Sequence, residues 1–389
     1  MSETLSQPGS RDEIGARLSG TFERAAGGSG TRGAQAAMVR DGELIWVGSY
    51  GLAHVETATP VDNGTIFCLA SLGKTLLAAV GLHLVEKGVL ALDAPLAAAC
   101  GDGIPGAQTV TLRMLLTHTA GYPDLYETPH VRSLMPPDPT AGTGTAYDPD
   151  RPFTWEMLLP GILEPVEPGE HWAYSNTGYI VLSEVLARVL GGALGFHQVW
   201  TSFLGAAADR YEMTPELLTF ERSTLDLSRL AHGYEQQDDG SFVDAYAANP
   251  ASGVPTDLFG LPFGDGLFAG TAVGVAVFLD ALLVRHRMLA PETVTLMTET
   301  TAAAAAAEVP HPDLSTYGMG TFRMAGPGGV WQGHRGRYAG FCTIGGSHRA
   351  TSTTLVVLTN TLTEAIPVVA LWRELVSNLE RDQRPDGTN

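Results

Sequence analysis

Strand-like segments stand near both ends of this chain, and helix-like segments fill the stretch between them. Near the start, Asp41-Gly42 separates the strand-like runs 34–40 and 43–49, and an Asp-Gly pair in that setting is a strong hairpin signal. In the last third, glycine turns separate four further short strands, predicted at 315–322, 329–334, 338–344 and 353–359. The pattern predicts an α+β (α/β) fold, with one antiparallel sheet built from both chain ends and flanked by helices.

The predicted helices are recognised by their apolar spacing. The first places Ile14, Leu18 and Phe22 on one face, and the last begins near Pro367, because proline is favoured at the first position of a helix. Between these two, helical patterns cover 72–87, 177–190 and 269–284.

This alternation of segments also predicts two domains. Residues 10–68 and 265–385 are expected to form a discontinuous sheet domain, and 69–264 a mainly helical domain inserted into it. Within the helical domain, 123–153 is rich in Pro, Gly, Asp and Thr, which predicts a long loop or lid.

The balance of charge excludes several kinds of partner. The 389 residues include 42 acidic and 23 basic side chains, which gives a formal charge of −19. Nucleic acid and anionic membranes bind basic surfaces, so neither is expected as a partner. The start of the chain has no apolar signal-peptide core, and the longest apolar stretch, 268–284, is broken by Asp280. We therefore expect a cytoplasmic protein.

Neither a metal nor a cofactor is expected. Cys68, Cys100 and Cys342 are too few and too scattered for a zinc site or a disulfide framework, and the eleven His show no metal-ligand spacing. A Gly-x-Gly-x-x-Gly match at 28–33 precedes a strand and opens no helix, unlike a dinucleotide-binding loop.

A nucleophile and its base are indicated by Ser71-Leu72-Gly73-Lys74, at the start of a predicted helix. Residues three apart lie on one face of a helix, so the Lys74 amine can reach the Ser71 hydroxyl. A desolvated lysine can take the serine proton, whereas an arginine cannot. Of the 23 cationic residues 21 are Arg, and only Lys74 and Lys87 are lysines, so a lysine retained here favours the chemical role.

Two further segments carry groups suited to the same chemistry. Tyr174-Ser175-Asn176 offers a phenol that can shuttle a proton and an amide that can orient the lysine and the substrate. Gly333-His334-Arg335-Gly336 lies on a predicted strand, and its glycines allow a substrate backbone to approach closely.

Taken in order, Ser71-x-x-Lys74, Tyr174-x-Asn176 and His334-x-Gly336 resemble the three motifs of the serine β-lactamase and penicillin-binding-protein family. That group includes class C β-lactamases, DD-peptidases, D-aminopeptidases, β-lactamase-like esterases and transacylases. The likeness runs from about residue 10 to 380, with supporting stretches at 67–70, 115–121 and 264–268.

The resemblance implies an acyl-enzyme mechanism on a small ester or amide, without a cofactor. Ser71 would attack the carbonyl, and Lys74 and Tyr174 would exchange the proton between nucleophile and leaving group. Asn176 would hold Lys74 and a polar group of the substrate. The backbone N–H groups of Ser71 and Arg337 would form the oxyanion hole, and His334 and Gly336 would contact the substrate.

One departure from the family pattern bears on the substrate. Many β-lactamases and DD-peptidases carry Lys-Thr-Gly as third motif, and the cation helps to bind a carboxylate. Here that position is His334, which is mostly neutral at pH 7. The His form resembles esterases, D-aminopeptidases and transacylases of the group. The preferred interpretation of the sequence is an esterase-like hydrolase. The alternatives are a transacylase that passes the acyl group to an amine, a D-aminopeptidase, DD-peptidase or β-lactamase, and a catalytically inactive binding protein.

Overall fold

The structure is a computed structural model. It describes residues 11–135, 144–146, 154–208, 211–214, 217–219, 225–245, 265–266, 268–307, 314–326, 328–363 and 367–380.

The described helices and strands alternate along the chain. The α-helices α1 to α12 are Arg11–Ser29, Gly73–Glu86, Ala97–Cys100, Leu112–Leu116, Pro129–Leu134, Trp155–Leu158, Asn176–Leu190, Ala193–Ala207, Ala272–Leu279, Pro291–Thr298, Ala302–Ala306 and Pro367–Glu380. The strands β1 to β14 are Gly33–Arg40, Glu43–His54, Thr59–Pro60, Phe67–Cys68, Leu218–Thr219, Tyr234–Gln236, Phe242–Asp244, Ala269–Gly270, Leu314–Tyr317, Phe322–Gly326, Gly329–Tyr338, Phe341–His348, Thr353–Thr359 and Thr361–Leu362. Short 3-10 segments include Ala70–Leu72, Leu125–Glu127 and Leu227–Arg229, and α9 continues as a π-helix, Asp280–Val284.

One large sheet unites the two ends of the chain. Its eight strands run in the order β3-β2-β1-β13-β12-β11-β10-β9, and every neighbouring pair is antiparallel. The junction is β1 with β13, where Ala34 lies opposite Thr359 and Arg40 opposite Thr353. The predicted fold class, a sheet built from both termini, is confirmed.

The hairpins show where the sequence signal was strong and where it was weak. Asp41 and Gly42 have φ angles of 51° and 74°, as a two-residue turn between twisted strands requires. The single strand predicted at 338–344 is wrong, because β11 continues to Tyr338 and the chain turns at Ala339-Gly340. An Ala-Gly pair is a poorer turn signal than Asp-Gly, since alanine does not favour the left-handed conformation that it adopts here.

Helices cover both faces of the sheet. Along β13, Leu355 and Val357 pack in the cluster formed with α1 and α12, whereas Val356 and Leu358 pack in the cluster formed with α2, α7 and α9. This division follows from the alternation of side chains along a strand. The second cluster therefore places α2, which follows Ser71, against the middle of the sheet.

The segment predicted to be a loop or lid, 123–153, is partly helical. Its beginning contains the 3-10 turn Leu125–Glu127 and α5, in which Thr128 caps the helix, Pro129 stands in the first turn, and Val131 and Leu134 are buried. The loop prediction is wrong there because these short helices rest on capping and packing and not on a long apolar repeat. Residues 136–143 and 147–153 lie outside the described residues.

The predicted domain boundaries, 68/69 and 264/265, stay predictions, and residue 264 lies outside the described part of the chain.

In the described ranges, no single helix is both long and apolar enough to cross a membrane, although the bent pair Asn176–Leu190 and Leu194–Ala207 passes that test by length and composition together.

Candidate active site

Ser71 lies in a tight turn that leads directly into a helix. The 3-10 segment Ala70–Leu72 runs into α2 at Gly73, so Lys74 follows Ser71 by one turn on the same face. Ala70 has a φ of 48°, in the left-handed region that a non-glycine residue seldom occupies. Such strain is often found next to reactive groups, where the surrounding structure holds it in place.

Two glycines let other segments pass close to this turn. A Cβ at Gly336 would lie 2.4 Å from the Leu69 carbonyl oxygen and 2.8 Å from the Ser71 backbone nitrogen. Gly266 has a φ of 119°, and a Cβ there would lie 2.2 Å from the Ala70 carbonyl oxygen. Both positions are therefore closed to side chains while the nucleophile keeps this conformation.

Lys74 connects the nucleophile to two other segments. Its side chain is completely buried, and Nζ lies 3.0 Å from Ser71 Oγ, 3.0 Å from Asn176 Oδ1 and 2.5 Å from the backbone oxygen of Asp265. The two carbonyl-type oxygens can only accept hydrogen bonds, whereas a serine hydroxyl can also donate. A neutral amine would satisfy all three contacts by donating twice and accepting the Ser71 proton, which is the arrangement that a general base needs.

Tyr174 and Asn176 stand at the start of α7. The Ser175 side chain caps this helix by accepting from the Gly178 N–H, so Asn176 is its first residue. Tyr174 is 37% exposed, and Lys74 Nζ lies 5.2 Å from the centroid of its ring. The Tyr174-x-Asn176 motif therefore lies beside the Ser71-x-x-Lys74 motif in the folded chain.

His118 packs against the ring of Tyr174. Its ring centroid lies 4.3 Å from that of Tyr174, and its Nδ1 accepts a hydrogen bond from the Ser175 N–H at 3.1 Å. Burial first, and then the nearby Lys74, hold the pKa of His118 well below its usual range, which keeps this ring neutral. Sequence reasoning missed this role, because the contact joins segments that are far apart in the chain.

His334 lies close to the site, but both of its ring nitrogens are hydrogen-bonded to other protein groups. It is buried, with Nδ1 2.6 Å from the Arg335 backbone oxygen and Nε2 3.1 Å from the Tyr317 hydroxyl. A neutral ring that donates from Nδ1 and accepts from Tyr317 satisfies both contacts. Burial, followed by the effect of Lys74, lowers the pKa of His334 to about 3. The residue therefore supplies no positive charge at neutral pH.

The register of β11 sets the direction of the backbone N–H of Arg337, the second predicted donor of the oxyanion hole. Tyr338 and Phe341 flank the two-residue turn, and Arg337 lies opposite Cys342. Because the pair next to such a turn is hydrogen-bonded and bonded pairs alternate, the Arg337 N–H points away from β12. On that side β10 pairs with β11 only as far as Gly333. The Arg337 side chain itself is exposed.

A half-buried pair that sequence reasoning missed adjoins Lys74. The Tyr126 hydroxyl donates to Asp265 Oδ2 at 2.5 Å, and Asp265 Oδ1 is buried without a hydrogen-bond partner among the described residues. Burial, followed by the charge of Asp265, raises the pKa of Tyr126 well above its usual range, so the phenol remains a donor. The two residues are 139 positions apart, and no spacing rule connects them.

A separate cluster contains potential metal ligands. Glu56, His232 and Asp244 each bring one such atom to within 4.8 Å of the others, and His232 Nδ1 lies 2.6 Å from Asp244 Oδ2. The spacing of His and Cys along the sequence does not indicate this group, because its members come from separate segments.

The Beta-lactamase family model matches residues 18–376, nearly the whole chain. The chain belongs to the Beta-lactamase family. This Beta-lactamase-family chain is 29% identical over 196 residues to Penicillin-binding protein 4* of Bacillus subtilis (strain 168). The aligned segment covers 50% of the chain and 40% of that protein. It is 38% identical over 113 residues to Esterase EstB of Burkholderia gladioli. That aligned segment covers 28% of the chain and 29% of the esterase. The matches thus span less than half the length of these curated relatives.

Its fold is also that of a solved amidase. The D-amino acid amidase from Ochrobactrum anthropi SV3, complexed with D-phenylalanine, superposes with a TM-score of 0.76 at 21% identity and covers 96% of this chain and 100% of that one. At this identity the likeness establishes the fold alone.

Proposed function

We propose that this chain is a serine hydrolase that forms an acyl-enzyme on Ser71 with a small ester or amide. The observation that carries the proposal is the completely buried Lys74, whose Nζ lies 3.0 Å from Ser71 Oγ and contacts two oxygens that can only accept. The family and the esterase among its relatives support the same chemistry.

The proposed reaction proceeds in two halves. In the first, Ser71 Oγ bonds to the carbonyl carbon while Lys74 takes the serine proton, and the negative oxygen rests on the N–H groups of Ser71 and Arg337. The carbonyl then re-forms, the bond to the alcohol or amine breaks, and the proton leaves on that group by way of Tyr174. In the second half water adds to the ester of Ser71, and the acid is released as the serine regains its proton.

The neutral His334 favours a substrate without a carboxylate beside the scissile bond. In a Lys-Thr-Gly motif a cation occupies this position, whereas His334 is buried, uncharged and bound to Tyr317. A neutral ester or amide requires no such cation. For this reason we place an esterase or amidase before a β-lactamase or DD-peptidase.

Covalent labelling tests the proposal. A fluorophosphonate probe should add one mass equivalent to the protein and none to Ser71→Ala, because only an activated serine attacks the phosphorus. Ser49→Ala, a half-buried serine on β2, serves as the control and should label as well as the unchanged protein.

Unlabelled protein, or equal labelling of Ser71→Ala, would contradict the proposal. Turnover of a p-nitrophenyl ester with and without an added amine then separates hydrolysis from transfer. Release of free acid alone supports the hydrolase, whereas an amide product identifies the transacylase.

A further inference from the structure

Tyr174 lies in a stretch of chain that has no helix or strand to hold it. Residues 171–175 belong to neither kind of element, and α7 begins only at Asn176. The Tyr174 side chain is 37% exposed, so the core restrains it only in part. A phenol that transfers a proton must nevertheless stay within hydrogen-bond reach of the group that receives it. Its position therefore depends on contacts from elsewhere in the chain.

His118 supplies such contacts on both sides of Tyr174. Its backbone oxygen accepts from the Ala173 N–H at 3.0 Å, and its Nδ1 accepts from the Ser175 N–H at 3.1 Å. The residues before and after Tyr174 are thus bound to one histidine. The ring of that histidine also packs on the Tyr174 ring, with 4.3 Å between the centroids. Together these contacts fix both the backbone and one face of the Tyr174 ring.

His118 is itself held firmly. It follows α4 with a φ of 57°, in the left-handed region where Asn, Asp and His are more frequent than other non-glycine residues. The residue is 2% exposed, and its ring packs against the buried Tyr179 and Tyr317 at centroid distances of 4.9 and 4.6 Å. His118 therefore connects the half-exposed Tyr174 to the core of the protein.

We propose that His118 is a positioning residue, which through its Nδ1 acceptor holds the Tyr174 phenol where it can pass a proton to the leaving group. The inference rests on the proposed function, because it concerns the step in which the alcohol or amine departs. Tyr174 hands the proton on, while His118 neither gains nor loses one. The low pKa of His118 suits this role, since a neutral ring keeps Nδ1 as an acceptor for the Ser175 N–H.

Two esters of one acid separate this role from a general loss of structure. The ethoxide of ethyl acetate has to be protonated as it departs, whereas p-nitrophenolate leaves without a proton. We measure the ratio of kcat/KM for p-nitrophenyl acetate to that for ethyl acetate, because kcat/KM reports on the half-reaction in which the alcohol departs. A misplaced Tyr174 raises this ratio. A variant that is merely less well folded lowers both values equally and leaves the ratio unchanged.

Two substitutions divide the acceptor of His118 from its ring. His118→Asn keeps an acceptor near the position of Nδ1 and tolerates a left-handed φ, whereas His118→Phe keeps a ring and removes the acceptor. The ratio should rise about tenfold or more in His118→Phe and change by less than about twofold in His118→Asn. An unchanged ratio in His118→Phe, or the same rise in both variants, would overturn the inference. If His118→Phe does not fold, His118→Gln takes its place, because its amide extends beyond the position of Nδ1.

The proposed role also predicts that His118 and Tyr174 do not act independently. Tyr174→Phe removes the phenol and should raise the ratio by itself, and adding His118→Phe should raise it no further. A second rise of similar size in the double variant would contradict the role. His130→Phe, at an exposed histidine, is the matched control and should leave the ratio unchanged. Labelling of Ser71 by the fluorophosphonate reports on the proposed function alone, so the two failures are distinguishable.

A nuclear magnetic resonance measurement tests the contact without turnover. In the unchanged protein at neutral pH, the ¹⁵N signal of His118 Nδ1 should be that of an unprotonated nitrogen, with a coupling across the hydrogen bond to the Ser175 N–H. The signal is assigned by its loss in His118→Asn. A protonated Nδ1 would overturn the inference, because that nitrogen could not accept from Ser175.

Discussion

The two walls of the candidate site contribute in different ways. The helical wall, which is Lys74, Tyr174 and Asn176, supplies side chains whose atoms take part in the proposed chemistry. The strand wall, which is His334, Gly336 and Arg337, supplies a neutral ring bound to Tyr317, a position without a side chain, and a backbone N–H. The helical wall should therefore be sensitive to the kind of side chain, and the strand wall to its volume.

The largest effect is expected on the helical wall, for Lys74→Arg. The substitution keeps a long nitrogen-bearing side chain but removes the proton acceptor, because a guanidinium remains protonated at every relevant pH. We expect kcat for an ester to fall about 10³-fold, within the range for loss of general-base catalysis. Circular dichroism and the thermal midpoint check that the larger side chain has not unfolded the protein. A folded variant with near-normal kcat would refute the role of Lys74.

On the strand wall, Gly336→Ala should have the next largest effect. The new Cβ would lie 2.8 Å from the Ser71 nitrogen and 2.4 Å from the Leu69 oxygen, so the oxyanion donor has to move. Displacing one such donor should lower kcat about 10²-fold. Gly205→Ala, in α8 with open space around it, is the matched control and should leave kcat unchanged. If both variants keep normal kcat, β11 does not support the nucleophile.

His334 should affect the pH dependence of stability more than the chemistry. Its pKa in the folded protein is about 3, against 6.5 in the unfolded chain, so the unfolded state takes up the proton first as the pH falls. The free energy of unfolding should therefore decrease from about pH 6.5 towards pH 3, by up to about 1.4 kcal/mol per pH unit from this residue.

Urea titrations at several pH values measure that slope. His334→Asn should flatten the slope without removing it, because the buried His118 contributes in the same direction. A variant with the slope of the unchanged protein would mean that His334 is not buried as a neutral ring.

What could be predicted from the sequence follows the same division. Ser71 and Lys74 are three residues apart on one helical turn, and this local spacing was enough to place them together. The family motifs then carried Tyr174 and Asn176 to the same point. The partners His118 with Tyr174, Tyr317 with His334 and Tyr126 with Asp265 depend on tertiary packing, and no periodicity in the chain encodes them.

The smallest effect should come from the other lysine of the same helix. Lys87 caps the C-terminal end of α2 and is exposed, whereas Lys74 is buried one turn after Ser71. At the C-terminus of a helix an arginine interacts with the dipole as well as a lysine does, so Lys87→Arg should change kcat by less than about twofold and stability by less than about 0.5 kcal/mol. The same exchange at the two positions thus separates the need for a cation from the need for a base. If Lys87→Arg lowered kcat as Lys74→Arg does, the loss would reflect helix α2 as a whole and not proton transfer at Ser71.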